Sequence, residues 1–353
     1  MTLSPVIAQD VAEIIDRPLP WERLNGTTVL VTGANGMLPS YAVHTLLGLN
    51  DARDASITVV GLVRNENKAR RILGPVLDRP DFRLLATDVT QLHEFDGPLD
   101  LVIHGASAAR PALHASDPVA TIKANLLGSF NLLDLCVAKG AGRFVLMSSS
   151  EVYGAQPEDV RLIPESSYGG FDFLNPRASY SEGKRAAETI ASVYAAQHDL
   201  DARIVRFGHI YGPGMALDDG RVQADFAANV VRGENIVLNS DGAAMRTYTY
   251  VGDAVAGMFY ALLAGTDRAY NVADPGGMVS IRDLALKFAQ ARPEKQLERI
   301  FANPDHADDR AYNQSKYLGL DSSAVEALGW SAQVDLEHGI DRMLRSYEET
   351  PAG

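Results

Sequence analysis

A single cysteine, Cys136, is present among 353 residues, and this excludes an internal disulfide and a cysteine-ligated metal cluster. No basic N-terminal region precedes an apolar core, and no apolar run approaches the ~18 residues of a membrane-spanning helix. We therefore expect a cytoplasmic protein without a membrane partner. Basic residues are also scarce, 32 against 45 acidic ones, for a formal net charge of −13. This balance disfavours nucleic acid as a partner, so individually placed arginines or lysines must bind any anionic ligand.

A strand, a glycine turn and a helix follow one another near the start of the chain. Residues 29–31 form a short apolar run, Gly33 and Gly36 permit a tight turn, and residues 42–49 continue as a helix. Backbone N–H groups at such a helix start can bind the pyrophosphate of a dinucleotide. Pro39 replaces the usual third glycine and is tolerated in the first helical turn, where no N–H is needed. Taken alone, the turn also fits an ordinary strand–helix connection.

Strands and helices continue to alternate through the first two-thirds of the chain. Further strands are predicted at 57–63, 82–86, 99–103, 143–147 and 202–207, with a long helix at 118–137. This alternation is typical of an α/β protein with a Rossmann-type, doubly wound parallel sheet. It ends near residue 210, where a smaller C-terminal substrate-binding α/β region is expected. The predicted division is an extension at 1–26, an NAD(P)-binding Rossmann domain at 27–209 and a mainly substrate-binding region at 210–353, with about 245–274 returning to the Rossmann domain.

Two segments outside the regular alternation carry specific predictions. In the extension, Ser4-Pro5 is a plausible helix start, and Ile14, Ile15 and Trp21 are expected to pack on the body of the protein. In the C-terminal region, residues 246–253 are predicted to begin a helix that ends at Leu263. No internal repeat or low-complexity linker separates these segments from the rest of the chain.

Polar residues follow several predicted strands, at the edge where parallel sheets bind ligands. Arg64 follows the second strand, where an acidic residue would bond the ribose 2′-hydroxyl of NAD. An arginine there can equally face a 2′-phosphate, so NAD and NADP both stay open. Asp88 follows the third strand and residues 148–151 follow the fifth. Asn125 lies on an apolar helix face and needs a partner, which a catalytic water or a backbone group would supply.

Tyr180 and Lys184 are four residues apart, which places them on one face of a predicted helix. A lysine ammonium beside a phenol favours the phenolate, so we expect the pKa of Tyr180 to be lowered toward that of a usable base. A Tyr-x-x-x-Lys spacing occurs often by chance. Together with a glycine turn and with Ser149 at a strand end, it indicates a catalytic group.

Roughly residues 27–335 resemble the extended short-chain dehydrogenase/reductase family of nucleotide-sugar epimerases, dehydratases and decarboxylases. The resemblance implies an NAD-dependent enzyme that forms a transient 4-keto sugar, with Arg221 and Arg246 facing the substrate diphosphate. It also implies a homodimer formed through the helices that follow residues 118 and 180. The motifs that carry the resemblance are the glycine turn, Asp88, the set of Ser149, Tyr180 and Lys184, Tyr211-Gly212-Pro213, and Tyr250-Val251-Gly252-Asp253.

Within that family, dehydratases and UDP-glucuronate decarboxylases generally have an acidic residue where Glu151 stands, and simple 4-epimerases generally lack it. Ser150 before it is typical of the decarboxylases and of GDP-mannose dehydratases. The resemblance therefore favours a UDP-glucuronate decarboxylase-like enzyme with a UDP-sugar substrate. A nucleotide-sugar 4,6-dehydratase, a 4-epimerase and a non-catalytic cofactor-sensing protein are the alternatives. The chain departs from the family pattern at Pro39, His209 and Asp225, and only Arg310 or Lys316 offers the basic residue that the decarboxylases carry before the C-terminal helix.

The predicted site contains no metal. Its catalytic residues are Ser149, Ser150, Glu151, Tyr180 and Lys184. Its substrate-binding residues are Ser107, His209, Arg221 and Arg246. The residues predicted to bind the cofactor are Gly33, Asn35, Gly36, Met37, Arg64, Asp88, Val89, His104, Ala106, Asn125, Tyr180 and Lys184.

Overall fold

A seven-stranded parallel sheet forms the centre of the protein, whose computed structural model describes residues 3–107, 116–302 and 317–349. The strand order is β11-β7-β5-β4-β1-β2-β3, and the order reverses between β1 and β4. This confirms the predicted Rossmann-type, doubly wound sheet. Arg310 and Lys316 lie outside the described residues. The strands are β1 (Thr28–Thr32), β2 (Thr58–Val63), β3 (Phe82–Ala86), β4 (Leu101–His104), β5 (Arg143–Ser149), β7 (Asp201–Phe207) and β11 (Ala269–Val272).

Helices cover both faces of this sheet because its strands are apolar on both sides. One face packs against α2 and α7, on which α1 lies, and the other packs against α4 and α5, which also pack along each other. The helices are α1 (Pro5–Ile15), α2 (Met37–Arg53), α3 (Glu66–Leu73), α4 (Pro118–Lys139), α5 (Ala178–His198), α6 (Val222–Arg232), α7 (Val251–Leu263), α8 (Ile281–Gln290), α9 (Ser323–Glu326) and α10 (Leu336–Glu348).

A smaller lobe is built around β10 (Met245–Tyr250), which pairs antiparallel with β12 (Met278–Ser280) and parallel with β8 (His209–Tyr211) and β14 (Tyr317–Leu320). The prediction that residues 246–253 begin a helix is therefore wrong for residues 246–250, which form a strand, and the helix begins at Val251. Alternating threonine and tyrosine favour a strand there. Residues 245–250 also belong to the smaller sheet, so the return to the main sheet is made by α7 and β11. The remaining strands of this lobe are β6 (Leu162–Ile163), β9 (Ile236–Leu238) and β13 (Arg299–Phe301).

The N-terminal extension is packed on the protein as predicted, with Ile14 and Trp21 buried. Its helix α1 also carries a buried carboxylate, Asp10. The hydroxyls of Tyr41 and Tyr250 each donate to Asp10 Oδ2 at 2.7 Å, and Arg342 donates to Oδ1 at 2.8 Å. These partners come from α2, β10 and α10, so one side chain of the extension joins the helix after the glycine turn to the smaller lobe.

Two further properties bear on possible ligands and surroundings. No helix within the described ranges is both long and apolar enough to cross a membrane. The side chains placed by the structure form no group of three histidine, cysteine, aspartate or glutamate residues suited to a metal ion.

Candidate active site

A cleft of about 1270 Å³ follows the carboxyl ends of the main-sheet strands and continues beneath the smaller lobe. This is the position at which open α/β sheets bind ligands. The cleft wall brings together most of the predicted residues. They are Gly33, Asn35, Gly36, Met37, Arg64, Asp88, Val89, Ala106, Ser107, Ser149, Ser150, Glu151, Tyr180, Lys184, His209, Arg221 and Arg246.

The glycine turn has the geometry that a dinucleotide pyrophosphate requires. Gly33 has a φ of +67°, and a Cβ there would lie 2.9 Å from the Cα of Ala106. Gly36 caps α2 without a side-chain hydrogen bond, and Pro39 lies in the first turn as predicted. The N–H groups of Met37 and Leu38 belong to the first turn of α2, where a helix offers no intrahelical acceptor, and both residues line the cleft, where these groups suit a pyrophosphate. These residues fit the nicotinamide dinucleotide predicted for this position.

Replacing Gly33 by alanine is expected to weaken NADH binding at least about tenfold, since a left-handed backbone and a clash each cost on the order of 1–3 kcal/mol. NADH fluorescence titration measures this effect. Gly142→Ala is the matched control, because a Cβ at Gly142 meets nothing within 4 Å and its φ is not left-handed. Equal affinities of the Gly33→Ala variant and the unmodified protein would contradict the role given to the turn.

Arg64 and Asp88 lie on the part of the cleft beyond the glycine turn. Oδ1 of Asp88 accepts hydrogen bonds from the N–H and the hydroxyl of Thr90, at 2.9 and 2.8 Å. Its Oδ2 lies 3.9 Å from Nη1 of Arg64, in a partly exposed ion pair. Val89 begins the short 3-10 turn that Asp88 caps. The carboxylate of Asp88 thus stabilises the loop after β3 through Thr90, and its negative charge is paired with the guanidinium of Arg64, which follows β2.

His104 and Asn125, predicted to touch the cofactor, are instead buried behind the cleft wall. Nδ1 of His104 lies 2.8 Å from the hydroxyl of Thr32, which also accepts the N–H of Ala106 at 3.1 Å. Asn125 donates to the carbonyl of Thr121 at 2.9 Å, so a backbone group is its partner, and it accepts from Ser107 at 3.1 Å. Both residues support the wall indirectly, because β4 and α4 turn these side chains into the core.

Ser149, Tyr180 and Lys184 all line the cleft. Burial raises the pKa of Tyr180 to about 12, the nearby Glu151 carboxylate adds to the rise, and a hydrogen bond with Ser149 opposes it. The expectation that Lys184 lowers this pKa is not confirmed. Burial lowers the pKa of Lys184 itself to about 8, and its ammonium donates to the carbonyl of Met147 at 2.7 Å. Desolvation therefore dominates the pKa of Tyr180, and the positive charge that opposes the rise is that of Arg221 and not the ammonium that the spacing suggested.

Glu151 and Ser150 form the side of the cleft next to Tyr180. The backbone N–H of Glu151 donates to Oγ of Ser149 at 3.2 Å, and the hydroxyl of Ser181 donates to its Oε2 at 3.0 Å. Ser150 is buried at the start of the same 3-10 turn. These contacts hold a carboxylate beside the phenol, which provides two neighbouring groups capable of proton transfer.

Arg221, Arg246 and His209 form the end of the cleft beneath the smaller lobe. Arg221 forms an ion pair with Asp219 at 2.5 Å, and Arg246 is buried and donates to the carbonyl of Met245 at 2.7 Å. Burial lowers the pKa of His209 to about 3, and the charges of Arg246 and Arg221 add to the lowering. This end therefore presents two cations and a neutral imidazole, a combination suited to an anionic group such as a diphosphate.

Buried neutral histidines make the protein sensitive to acid. Burial lowers the pKa of His44 to about 4 and those of His104 and His209 to about 3. In the unfolded chain these histidines take up protons near pH 6.5, whereas in the folded protein they stay neutral. The free energy of unfolding therefore falls as pH drops below 6.5, and each histidine contributes about 1.4 kcal/mol per pH unit to the fall. Urea unfolding between pH 7.5 and 5 tests this. His44→Leu is expected to flatten the slope, and an unchanged slope would contradict the assignment.

Two contributing residues were missed by sequence reasoning. Ser181 contacts Glu151, and its position directly after Tyr180, in the segment 180–185 that resembles the decarboxylases, was the signal that could have suggested it. Glu188 accepts from the Ser148 hydroxyl at 2.6 Å and from Arg206 at 2.7 Å, deep beneath the cleft. Its position one helical turn after Lys184 is visible in the sequence and could have suggested it. Its negative charge opposes the lowering of the Lys184 pKa.

A model described as the NAD dependent epimerase/dehydratase family matches residues 29–273. The chain belongs to this family. Among other members of the epimerase/dehydratase family, UDP-glucuronic acid decarboxylase 6 of Arabidopsis thaliana is 32% identical over 317 residues, covering 89% of this chain and 87% of that protein. UDP-glucuronic acid decarboxylase 1 of Danio rerio is 28% identical over 321 residues, covering 90% of this chain and 72% of that protein.

Solved structures of epimerases and dehydratases share the fold. A dTDP-glucose 4,6-dehydratase from Streptomyces venezuelae with bound NAD has a TM-score of 0.76 at 24% identity, covering 92% of this chain and 98% of that one. A UDP-glucuronic acid 4-epimerase from Bacillus cereus, in complex with UDP-glucuronic acid and NAD, has a TM-score of 0.75 at 22% identity, covering 92% and 99%. Family membership confirms the predicted NAD-dependent enzyme of the nucleotide-sugar epimerase, dehydratase and decarboxylase class.

Proposed function

We propose that this epimerase/dehydratase family enzyme converts UDP-glucuronate to UDP-xylose and carbon dioxide. The observation that carries the proposal is the Glu151 carboxylate, held by Ser181 beside Tyr180 within the cleft. The decarboxylase relatives support it, since the chain is 32% identical to one of them over most of both lengths. The substrate is anionic at both its diphosphate and its sugar carboxylate, and the basic end of the cleft suits the diphosphate.

Binding is assigned to the two ends of the cleft. The N–H groups after Gly36 would hold the pyrophosphate of NAD, and bound NAD would supply the hydride acceptor. Arg221 and Arg246 would hold the substrate diphosphate beneath the smaller lobe. The sugar then lies between these ends, against Ser149, Tyr180 and Glu151. Tyr180 is buried there, and Ser149 and Glu151 are half-buried.

The first step is oxidation at C4 of the sugar. Tyr180, as the phenolate, takes the proton of the C4 hydroxyl while the C4 hydrogen leaves with its electron pair as hydride. Ser149 hydrogen bonds the sugar oxygen as it becomes a carbonyl. The positive charge of Arg221 opposes the rise in the pKa of Tyr180 and so favours the phenolate over the buried phenol. The product of this step is a 4-keto sugar.

Loss of carbon dioxide follows from the 4-keto group. The C6 carboxylate is then part of a β-keto acid, so the C5–C6 bond breaks and its electron pair passes into an enolate over C4 and C5. Glu151 is assigned to carry the proton that C5 receives, and Ser150 to hydrogen bond at the same side. Return of hydride to C4 and of the Tyr180 proton to the oxygen completes UDP-xylose, so the reaction as a whole consumes no oxidant.

A 4,6-dehydratase is the second candidate, because a carboxylate beside Tyr180 would also serve elimination of water across C5 and C6. The two are separated by incubating the purified enzyme and NAD with UDP-glucuronate, UDP-glucose, dTDP-glucose and GDP-mannose, followed by mass spectrometry. Loss of carbon dioxide from UDP-glucuronate supports the decarboxylase. Loss of water from a neutral hexose nucleotide supports the dehydratase, and an unchanged mass with altered retention supports an epimerase.

We propose that the enzyme is a homodimer that uses the outer faces of α4 and α5. Apolar side chains are exposed there, including Leu127 (44%), Phe130 (42%) and Val193 (53%), and a continuous apolar face of this kind is typical of an interface. Light scattering is expected to give twice the monomer mass. Phe130→Glu is expected to yield monomers, whereas Ile300→Glu, on the smaller lobe, leaves the mass unchanged. A monomeric unmodified protein would contradict the proposal.

The proposed location is the cytoplasm. Cys136, the only cysteine, is a buried free thiol, and such usage is typical of proteins kept in a reducing compartment. Cell fractionation with an antibody to the protein tests this, and recovery with secreted or membrane material would contradict it.

A further inference from the structure

A buried carboxylate, Glu188, lies on α5 one helical turn beyond Lys184. Its Oε1 accepts a hydrogen bond from the hydroxyl of Ser148 at 2.6 Å. The residue before that serine, Met147, accepts the ammonium of Lys184 at its carbonyl oxygen at 2.7 Å. Both hydrogen bonds join α5 to the end of β5, directly before Ser149. The placement of this strand end against the helix therefore depends on them.

Arg206 holds the carboxylate of Glu188 in place from the neighbouring strand. It stands opposite Ser148 in the register of β7 and β5. Its Nε donates to Oε1 of Glu188 at 3.0 Å and its Nη2 to Oε2 at 2.7 Å. Its Nη1 donates to the hydroxyl of Tyr153 and to the carbonyl of Glu165, each at 2.9 Å. A buried bidentate ion pair tied at a third nitrogen has little freedom to move, so Glu188 is a fixed anchor for the strand end.

We propose that Glu188 is a positioning residue for the oxidation at C4 of the sugar. Through Ser148 it fixes the end of β5 relative to α5, and so sets the separation between Ser149 on the strand and Tyr180 on the helix. Glu188 itself does not line the cleft, so its effect reaches the reacting groups only through the strand end. Its negative charge also offsets part of the lowering of the pKa of Lys184 by burial. The inference rests on the proposed function for the C4 oxidation and not for the loss of carbon dioxide that follows.

A double-mutant cycle on turnover tests the proposal with Ser148→Ala, Glu188→Gln and the two substitutions together. Ser148→Ala removes the link and leaves the ion pair of Glu188 with Arg206 intact, so this variant is expected to fold with little change in its urea midpoint. Because misplacing reacting groups by about 1 Å can lower a rate about 100-fold, we expect kcat to fall at least about tenfold in Ser148→Ala, while KM and the affinity for NADH change by less than about twofold.

The double variant is expected to lose no more kcat than the more affected single variant, because both substitutions break the same hydrogen bond. Turnover by Ser148→Ala at the rate of the unmodified enzyme would overturn the proposal. Losses that multiply in the double variant would also overturn it, since Glu188 would then act independently of the strand end. The substrate is the nucleotide sugar that the product survey shows to be turned over. An enzyme that oxidises C4 without releasing carbon dioxide would contradict the decarboxylation and leave this comparison unaffected.

Ser346→Ala is the matched control for loss of a buried hydroxyl. Ser346 is buried on α10, its hydroxyl donates to the carbonyl of Met343 at 2.7 Å, and it does not line the cleft. We expect its kcat to equal that of the unmodified enzyme. A loss in Ser346→Ala as large as that in Ser148→Ala would show a general structural effect and would contradict the role given to Glu188.

Discussion

Tyr180→Phe is expected to lower kcat by about 10³-fold, because the variant keeps the ring but loses the group that exchanges a proton with the sugar hydroxyl. The phenol is buried against Glu151 and Ser149 in the cleft. Its removal leaves the glycine turn and the arginine end intact, so affinities for NADH and UDP-glucuronate should change little. Steady-state turnover and calorimetric titration of the same preparation measure both quantities.

Tyr194→Phe provides the control for that substitution. Tyr194 lies four turns further along the same helix, and its hydroxyl donates to Asp134 at 2.5 Å on the outer face. Its loss should leave kcat unchanged within experimental error. Turnover by Tyr180→Phe at the rate of the unmodified enzyme would remove Tyr180 from the mechanism, and equal losses in both variants would point to a structural effect.

Arg17→Met is expected to lower the free energy of unfolding by about 3–5 kcal/mol, the usual cost of leaving one partner of a buried ion pair alone. Arg17 and Asp253 are 6% and 1% exposed, and their closest atoms are 2.5 Å apart. Asp253 also accepts the N–H groups of Gln333 and Val334, at 3.0 and 2.9 Å. The pair therefore joins the N-terminal extension to α7 and to the segment before α10. Urea unfolding measures the loss.

The dependence of that loss on pH identifies its cause. Burial raises the pKa of Asp253, and the charge and hydrogen bond of Arg17 oppose part of this rise. Removal of Arg17 therefore raises the pKa of Asp253 further. At a pH above the pKa of Asp253 in the unfolded chain, the folded variant must either bury an uncompensated carboxylate charge or take up a proton. The loss in free energy of unfolding caused by Arg17→Met therefore grows as pH rises above that pKa. Arg70→Met, which breaks an exposed pair with Glu66, should cost less than about 1 kcal/mol at every pH. A loss in Arg17→Met independent of pH would contradict the buried-charge explanation.

The local parts of the site could be predicted from sequence because their geometry is set within a few residues. Gly33, Gly36 and Pro39 define one turn, and Tyr180 and Lys184 share a helix face whatever packs around them. The first six strands of the main sheet along the chain were predicted within about two residues at each end, because continuous apolar runs mark buried parallel strands.

The remaining features depend on packing between distant segments. The pKa of Tyr180 rises because other parts of the chain exclude water from it, and the helix spacing carries no information about that burial. His104 is the last residue of β4, where a ligand-binding residue would stand, yet its side chain turns back to Thr32 in the core. Asp10 meets Arg342, 332 positions away in the sequence, so no local pattern could have indicated the contact.

Decarboxylation of UDP-glucuronate is tested most directly by following the fate of C6 and C5 together. The enzyme and NAD are incubated in D₂O with UDP-glucuronate labelled with ¹³C at C6, and the gas and the nucleotide product are analysed by mass spectrometry and NMR. We predict release of labelled carbon dioxide and a pentose nucleotide with one deuterium at C5, because the enolate takes its proton from a group that exchanges with solvent. A product that retains the label, with unchanged carbon number, would contradict the proposed function.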